Sequence, residues 1–238
     1  FNKPGYRPEI IMLSGNTDCY QPIERKLKIT RAMLEIFLRY KHPVGIISKN
    51  NLILRDLDLL EEMAKLDLVH VAVSLTTLNE ELRQKLEPRT VTGAGRLKVI
   101  QQLSRINVPV RLMMAPIIPF LNSEEIPAII RAAADAGAQA ASFTVVRLNG
   151  AISEIFTDWV HKAYPDRADR VLHAIAACHA GKLNDSRWGD RMVGDGQIAE
   201  SIHDLFSISV KRYLKGRSMK PQRLDLFTPA HGKQLDLF

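Results

Sequence analysis

Short apolar runs alternate with stretches of helical period from residue 9 to about residue 150. The runs Ile10–Leu13, Val44–Ile47, Val69–Leu75, Val110–Ala115 and Ala141–Val146 are short and nearly continuous. That is the pattern of parallel strands buried on both faces. Between them, Met33, Ile36, Phe37 and Tyr40 fall at i, i+3, i+4 and i+7, and Ile126, Ile129, Ile130 and Ala133 repeat the spacing. One apolar helix face produces that period. Leu60, Met63 and Ala64 mark another helix, and Val99, Leu103 and Ile106 a further one. Asn122 with Glu125 predicts a capping pair at a helix start, and Gly137 a glycine stop.

Strands that each lead into a crossover helix imply successive right-handed βαβ units. The fold class is therefore α/β with a parallel sheet. A complete eight-stranded barrel takes about 250 residues, whereas the strand pattern here ends near Leu148, so the sheet is incomplete or lost a unit at the front. Residues 1–150 read as this partial barrel. Residues 151–214 read as a helical extension, with helices at Ser153–Tyr164, Arg167–His179 and Gln197–Leu214. Residues 215–238 carry Gly216, Pro221, Pro229 and Gly232 without helical period and read as a flexible tail.

Composition adds limits. No run approaches 18 apolar residues, so no membrane helix is expected. Cys19 and Cys178 are the only cysteines of the 238 residues; they form no CxxC pair and too small a set for a disulfide framework. A reducing cytoplasm suits them. The opening Phe1-Asn-Lys-Pro-Gly5 has neither an initiator methionine nor a signal pattern and reads as mid-chain. The net charge of +7 draws polyanions, nucleic acid included.

Polar residues gather where parallel α/β folds bind ligands, just after each strand. The first run ends in Gly15-Asn16-Thr17-Asp18, the second in Ser48-Lys49-Asn50, the third in Ser74-Leu75-Thr76-Thr77. The fourth leads through Ala115 to Asn122, and the fifth ends in Arg147-Leu148-Asn149. Helix caps account for any one of these; all five together favour a shared ligand site. Gly15 allows close backbone approach, Thr17 and Asp18 offer acceptors for an ammonium, Lys49 a cation for carboxylate or phosphate, and Ser74 a hydroxyl. An amino acid joined to a nucleoside needs that combination; a phosphosugar or nucleotide fits these residues nearly as well.

The order of Gly15-Asn-Thr-Asp18, Ile47-Ser-Lys49, Leu54-Arg-Asp-Leu57, Val73-Ser74, Leu86-Glu-Pro88, Arg96-Leu97 and Met114-Ala-Pro-Ile117 resembles the spore-photoproduct-lyase-like, "DNA repair photolyase" branch of the radical S-adenosylmethionine (radical SAM) superfamily. The resemblance implies a partial, TIM-like (β/α)6 barrel of which this chain holds strands two to six. It implies a bacterial lyase-like enzyme that binds S-adenosylmethionine at a [4Fe–4S] cluster, generates a 5′-deoxyadenosyl radical and acts on nucleic acid in DNA repair. By position, Thr17, Lys49, Ser74 and the Ala115 backbone contact S-adenosylmethionine, Gly15 and Asp18 shape its methionine end, and Arg89 is a further candidate for its carboxylate. The family's cysteine triplet is absent, so metal ligands are expected upstream of Phe1. The lyase's hydrogen-donating cysteine corresponds to Gly15, with Cys19 four residues on as a candidate catalytic group.

Other motifs point elsewhere. His173, Cys178 and His179 match no common zinc spacing. Arg187 and Trp188, in a glycine-rich connection, have the chemistry to contact a base and a phosphate. The tail holds Gln222, Leu224, Leu226 and Phe227, then Gln234, Leu235, Leu237 and Phe238, two LDLF copies resembling the peptide that docks on the bacterial β sliding clamp. Two alternatives stay open at this point: a cluster-free barrel enzyme acting on a phosphorylated metabolite, and a non-catalytic clamp-binding module.

Overall fold

A computed structural model describes residues 1–184 and 192–229. The strands β1 (Ile11–Leu13), β2 (Val44–Ser48), β3 (Val69–Ser74), β4 (Val110–Ile117) and β5 (Ala140–Val145) form one parallel sheet in the order β1-β2-β3-β4-β5. Sequential neighbours joined by helical crossovers give the curved half-barrel that the alternating pattern predicts. The helices are α1 (Glu24–Leu27), α2 (Ile29–Arg39), α3 (Leu57–Lys65), α4 (Glu80–Leu86), α5 (Gly93–Arg105), α6 (Ile126–Asp135), α7 (Ala151–Ala163), α8 (Ala168–Ala177) and α9 (Gly196–Tyr213).

The sheet has one dry face. Leu13, Ile46, Val71 and Val110 lie in register across four strands and are buried under the helices. The neighbouring row, Ile47, Ala72, Arg111 and Ala140, lies on the concave face and is only partly covered, apart from Arg111, which is exposed. Burial on both faces, as the apolar runs predict, is thus found only in part. An open half-barrel leaves its lumen wet, so alternate residues keep contact with solvent.

Local predictions fare unevenly. Gly137 stops α6 at φ 107°, and an added Cβ would lie 2.2 Å from Ser104 Oγ. Asn122 does not cap that helix: it accepts from the Ile118 amide at 2.6 Å and donates to the carbonyls of Thr76 and Pro116. Glu125 instead accepts from the amides of Leu78 and Asn79 ahead of α4. In α2 the buried stripe is Thr30, Leu34 and Phe37, while Ile36 stays 45% exposed.

The later helices belong to two bodies of core. Phe156 and Val160 of α7 and Val171 and Ile175 of α8 enclose a small cluster with Ile118, Val146 and Leu148. α9 joins the main core, its Phe206 ring 4.5 Å from that of Phe143 on β5.

Beyond α9 the chain is bound to the amino-end mouth of the barrel. Arg217 donates to the carbonyls of Ala134 and Ala138, His70 bonds the Lys220 carbonyl, and Gln222 donates to the carbonyls of Val44 and Leu68. Phe227 enters a box of Phe1, Tyr6, Tyr40 and His42. The expectation of a flexible tail therefore needs correction through residue 229. These side chains add donors to carbonyls at the amino ends of the strands, two of which, Leu68 and Ala134, also accept from the amides of Val44 and Gly137. It follows that Gln222 and Phe227, two anchors of the first clamp-like copy, are engaged within the chain; Leu224 stays 44% exposed. Gln234, Leu235, Leu237 and Phe238, like Arg187 and Trp188, lie outside the described residues. No described helix is long and apolar enough to cross a membrane.

Candidate cofactor site

The carboxyl ends of the strands surround a cavity of about 360 Å³. Thr17, Asp18, Lys49, Ser74 and Ala115 line it, as the strand-end reading predicts. Each comes from a loop or strand terminus that the parallel sheet brings to the same edge. Asn16 and Ser48 of the same strand-end segments line it too, and the structure adds Ser14, Ile47, Met113, Thr144 and Met192. Below it on the concave face lies a second cavity of about 340 Å³ that shares Ile47 and Met113 with the first.

Asp18 has a structural task that the sequence reading did not find. Its carboxylate accepts from the Tyr20 amide at 2.9 Å, the Ser48 hydroxyl at 2.9 Å and the Lys49 amide at 2.8 Å. With those donors in place it fastens the β1 loop to the end of β2, while it also lines the cavity. Behind it, the fully buried Asp56 receives the Tyr20 hydroxyl at 3.1 Å and the guanidiniums of Arg31 and Arg55. The Leu54–Leu57 motif is thus the foundation of the first two loops.

Lys49 meets a partner that strand-end reasoning does not find. Its ammonium bonds Glu87 Oε1, which also accepts from the Thr76 hydroxyl at 3.2 Å. The other carboxylate oxygen takes a guanidinium N–H of Arg96 at 2.6 Å. Arg96 is 2% exposed, and it also donates to the carbonyls of Ser74 at 2.9 Å and Val91 at 3.0 Å and to the Thr90 hydroxyl at 2.7 Å. Burial pushes the Glu87 carboxyl up, but the charges of Lys49 and Arg96 outweigh it and hold the group below its ordinary value. One signal was in the sequence: Arg96 falls at i of an i, i+3, i+4, i+7 stripe with Val99, Ile100 and Leu103, and a charge on a buried stripe needs a counter-charge.

Three candidates lie off the cavity. Gly15 does not line it, and a Cβ there would meet nothing within 4 Å, so no close approach within the chain demands a glycine. Arg89 is exposed and does not line it. Cys19 is packed against the core, its amide on Ser14 Oγ at 2.8 Å. Burial pushes its thiol up to about 11, so it remains an S–H group at neutral pH.

S-adenosylmethionine fits the cavity in kind: a cation, hydroxyls and a backbone segment line a space within the usual range for small-molecule sites. An iron–sulfur cluster does not fit these residues. Such a cluster takes converging thiolates, the sequence has two cysteines, and among the described residues no group of His, Cys, Asp and Glu could hold a metal ion. His179 bonds the Val146 carbonyl and Cys178 is buried in the main core.

Known proteins agree with the architecture. Spore photoproduct lyase complexed with dinucleoside spore photoproduct superposes with a TM-score of 0.65 at 14% identity, over 89% of this chain and 60% of the lyase. A lyase variant with bound AdoMet and the same dinucleoside gives 0.63 at 14% identity, over 88% and 60%. An uncharacterized protein of Mycobacterium tuberculosis is 30% identical over 170 residues, 71% of this chain and 50% of its own length. One from Methanocaldococcus jannaschii is 27% identical over 111 residues, 47% and 41% of the two chains. The chain thus spans about half the length of the curated relatives it matches, or less. The family model described as Radical SAM superfamily matches residues 1–133, more than half of the sequence, and the chain belongs to that superfamily.

Proposed function

We propose that this chain is the S-adenosylmethionine-binding barrel of a radical SAM enzyme that acts on nucleic acid. The observation that carries the reading is the cavity at the strand ends, where Thr17, Lys49, Ser74 and Ala115 converge in a chain of this superfamily. Lys49 takes the carboxylate of the cofactor. The hydroxyls of Thr17 and Ser74 bond its polar groups, and the Ala115 backbone borders the rest. With a cluster supplied, S-adenosylmethionine held here would be the source of a 5′-deoxyadenosyl radical for hydrogen abstraction. The two cysteines of residues 1–238 are too few to hold that cluster, so its thiolates would have to come from elsewhere.

Nucleic acid as the substrate rests on two supports, the net charge of +7 and the likeness to a lyase solved with a dinucleoside lesion. A phosphorylated metabolite is served less well. Lys49, Glu87 and Arg96 together carry one net positive charge, which matches a carboxylate better than a phosphate dianion.

The test is anaerobic assembly of the complete protein with iron and sulfide, followed by assay of reductive cleavage of S-adenosylmethionine. Formation of 5′-deoxyadenosine, reduced by Lys49→Met, is the expected result. No 5′-deoxyadenosine under those conditions overturns the enzymatic reading.

A further inference from the structure

Lys49 alone is a poor anchor. A lysine carries its charge on a flexible stem of four carbons, and holding it in one geometry costs side-chain entropy. At the rim it is gripped at both ends: its backbone amide donates to Asp18 at 2.8 Å and its ammonium to Glu87 Oε1. Its side chain remains 34% exposed and lines the upper cavity. An ammonium has three donors, so two stay available to a ligand.

The charges explain why Glu87 does not cancel the lysine it holds. A Lys–Glu pair by itself is neutral and has little field for an incoming carboxylate. Here Arg96 pairs with the other oxygen of Glu87 at 2.6 Å from a buried position, so the trio of Lys49, Glu87 and Arg96 carries one net positive charge. Of its two cations, Lys49 alone lines the cavity. Arg96 also donates to the Ser74 carbonyl at 2.9 Å, and Thr76 donates to Glu87 at 3.2 Å. The same group therefore ties the ends of β2 and β3 together.

We infer that Glu87, its charge offset by the buried Arg96, is the positioning residue that aims Lys49 at the carboxylate of the bound cofactor. The trio matches a monoanionic amino-acid carboxylate and sets the spacing between Lys49 and Ser74 that the ligand must span. This rests on the assignment of S-adenosylmethionine to the upper cavity and adds the element that orients it.

The test is a double-mutant cycle on the assembled holoenzyme, read as the dissociation constant of S-adenosylmethionine. Lys49→Met and Glu87→Gln each remove one end of a charge-assisted contact and are expected to weaken binding about tenfold. Because Glu87 acts through Lys49, adding Glu87→Gln to Lys49→Met should cost nothing further, where independent effects would multiply to about a hundredfold. In turnover, KM should rise more than kcat falls. The strap variant Phe227→Ala, in the aromatic box and off both cavities, serves as a control that leaves the dissociation constant unchanged. Should Glu87→Gln fail to fold because Arg96 loses its counter-charge, Glu87→Gln with Arg96→Met removes both buried charges and should show the same affinity loss. If Lys49→Met leaves affinity intact, the cofactor assignment of this cavity fails. If Lys49→Met weakens binding but Glu87→Gln does not, or the two losses multiply, the positioning role is overturned and the assignment stands.

Discussion

At the carboxyl-end mouth, Lys49, Glu87 and Arg96 form a charged trio bordering a cavity, whereas at the amino-end mouth Gln222 spends its amide hydrogens on the carbonyls of Val44 and Leu68. Both mouths are polar, and both draw on residues far apart in sequence. At the first, side chains satisfy one another and leave a cation facing open space. At the second, side chains satisfy the backbone, and an aromatic box closes over Phe227. A ligand site needs donors left over, while a structural seal needs none. Substitutions at the rim should therefore move affinity as well as stability, and substitutions in the strap should move stability alone.

The largest effect is expected from Arg96→Met. It leaves Glu87 with a buried negative charge and only Lys49 and hydroxyls beside it. Breaking a buried pair from one side costs about 3 kcal/mol, read as a lower urea midpoint, and the Ser74 carbonyl loses its donor at the same time. A midpoint within experimental error of the parent would show that the rim does not depend on this pair.

Phe227→Ala should follow, at about 2 kcal/mol for a half-buried aromatic ring. Affinity for S-adenosylmethionine should not change, since the ring sits in the box of Phe1, Tyr6, Tyr40 and His42 at the far end of the strands. Loss of affinity in this variant would erase the division between the two mouths.

A smaller effect comes from pH. The folded Glu87 carboxyl is held below its ordinary value of 4.5, so its ion pairs favour the fold fully above that value. That contribution disappears as pH falls through the lowered folded value. Urea midpoints should drop on acidification below pH 4.5, and Glu87→Gln should flatten that part of the profile. An unchanged slope in the variant would place the acid sensitivity in other carboxylates.

How much of this was legible follows from where each feature keeps its partners. The strands are short apolar runs, and β1 to β5 lie where those runs predict because a parallel sheet under helices demands them. The rim residues Thr17, Lys49, Ser74 and Ala115 follow from strand ends alone. Glu87 does not: it sits between α4 and α5, in no strand-end loop, and meets Lys49 only when the β/α units fold side by side. The strap was hidden for another reason. Pro221 and Gly216 suit a loose tail, and the partners of Gln222 are backbone carbonyls, which carry no residue-type signal.

Arg89 offers the finest test of the rim. Placed beside Glu87-Pro88, it invites assignment to the cofactor carboxylate, yet the fold turns it outward, exposed and off the cavity, and gives the inward position to Glu87. A solvated arginine off the cavity contributes little field there, because water and salt screen it. Arg89→Ala should therefore leave the dissociation constant of S-adenosylmethionine within about twofold of the parent, beside the about tenfold loss expected for Lys49→Met. A tenfold loss in Arg89→Ala would move the carboxylate from the Lys49 side of the cavity toward the α4–α5 connection, and the lumen would then have to bind the cofactor in the opposite sense.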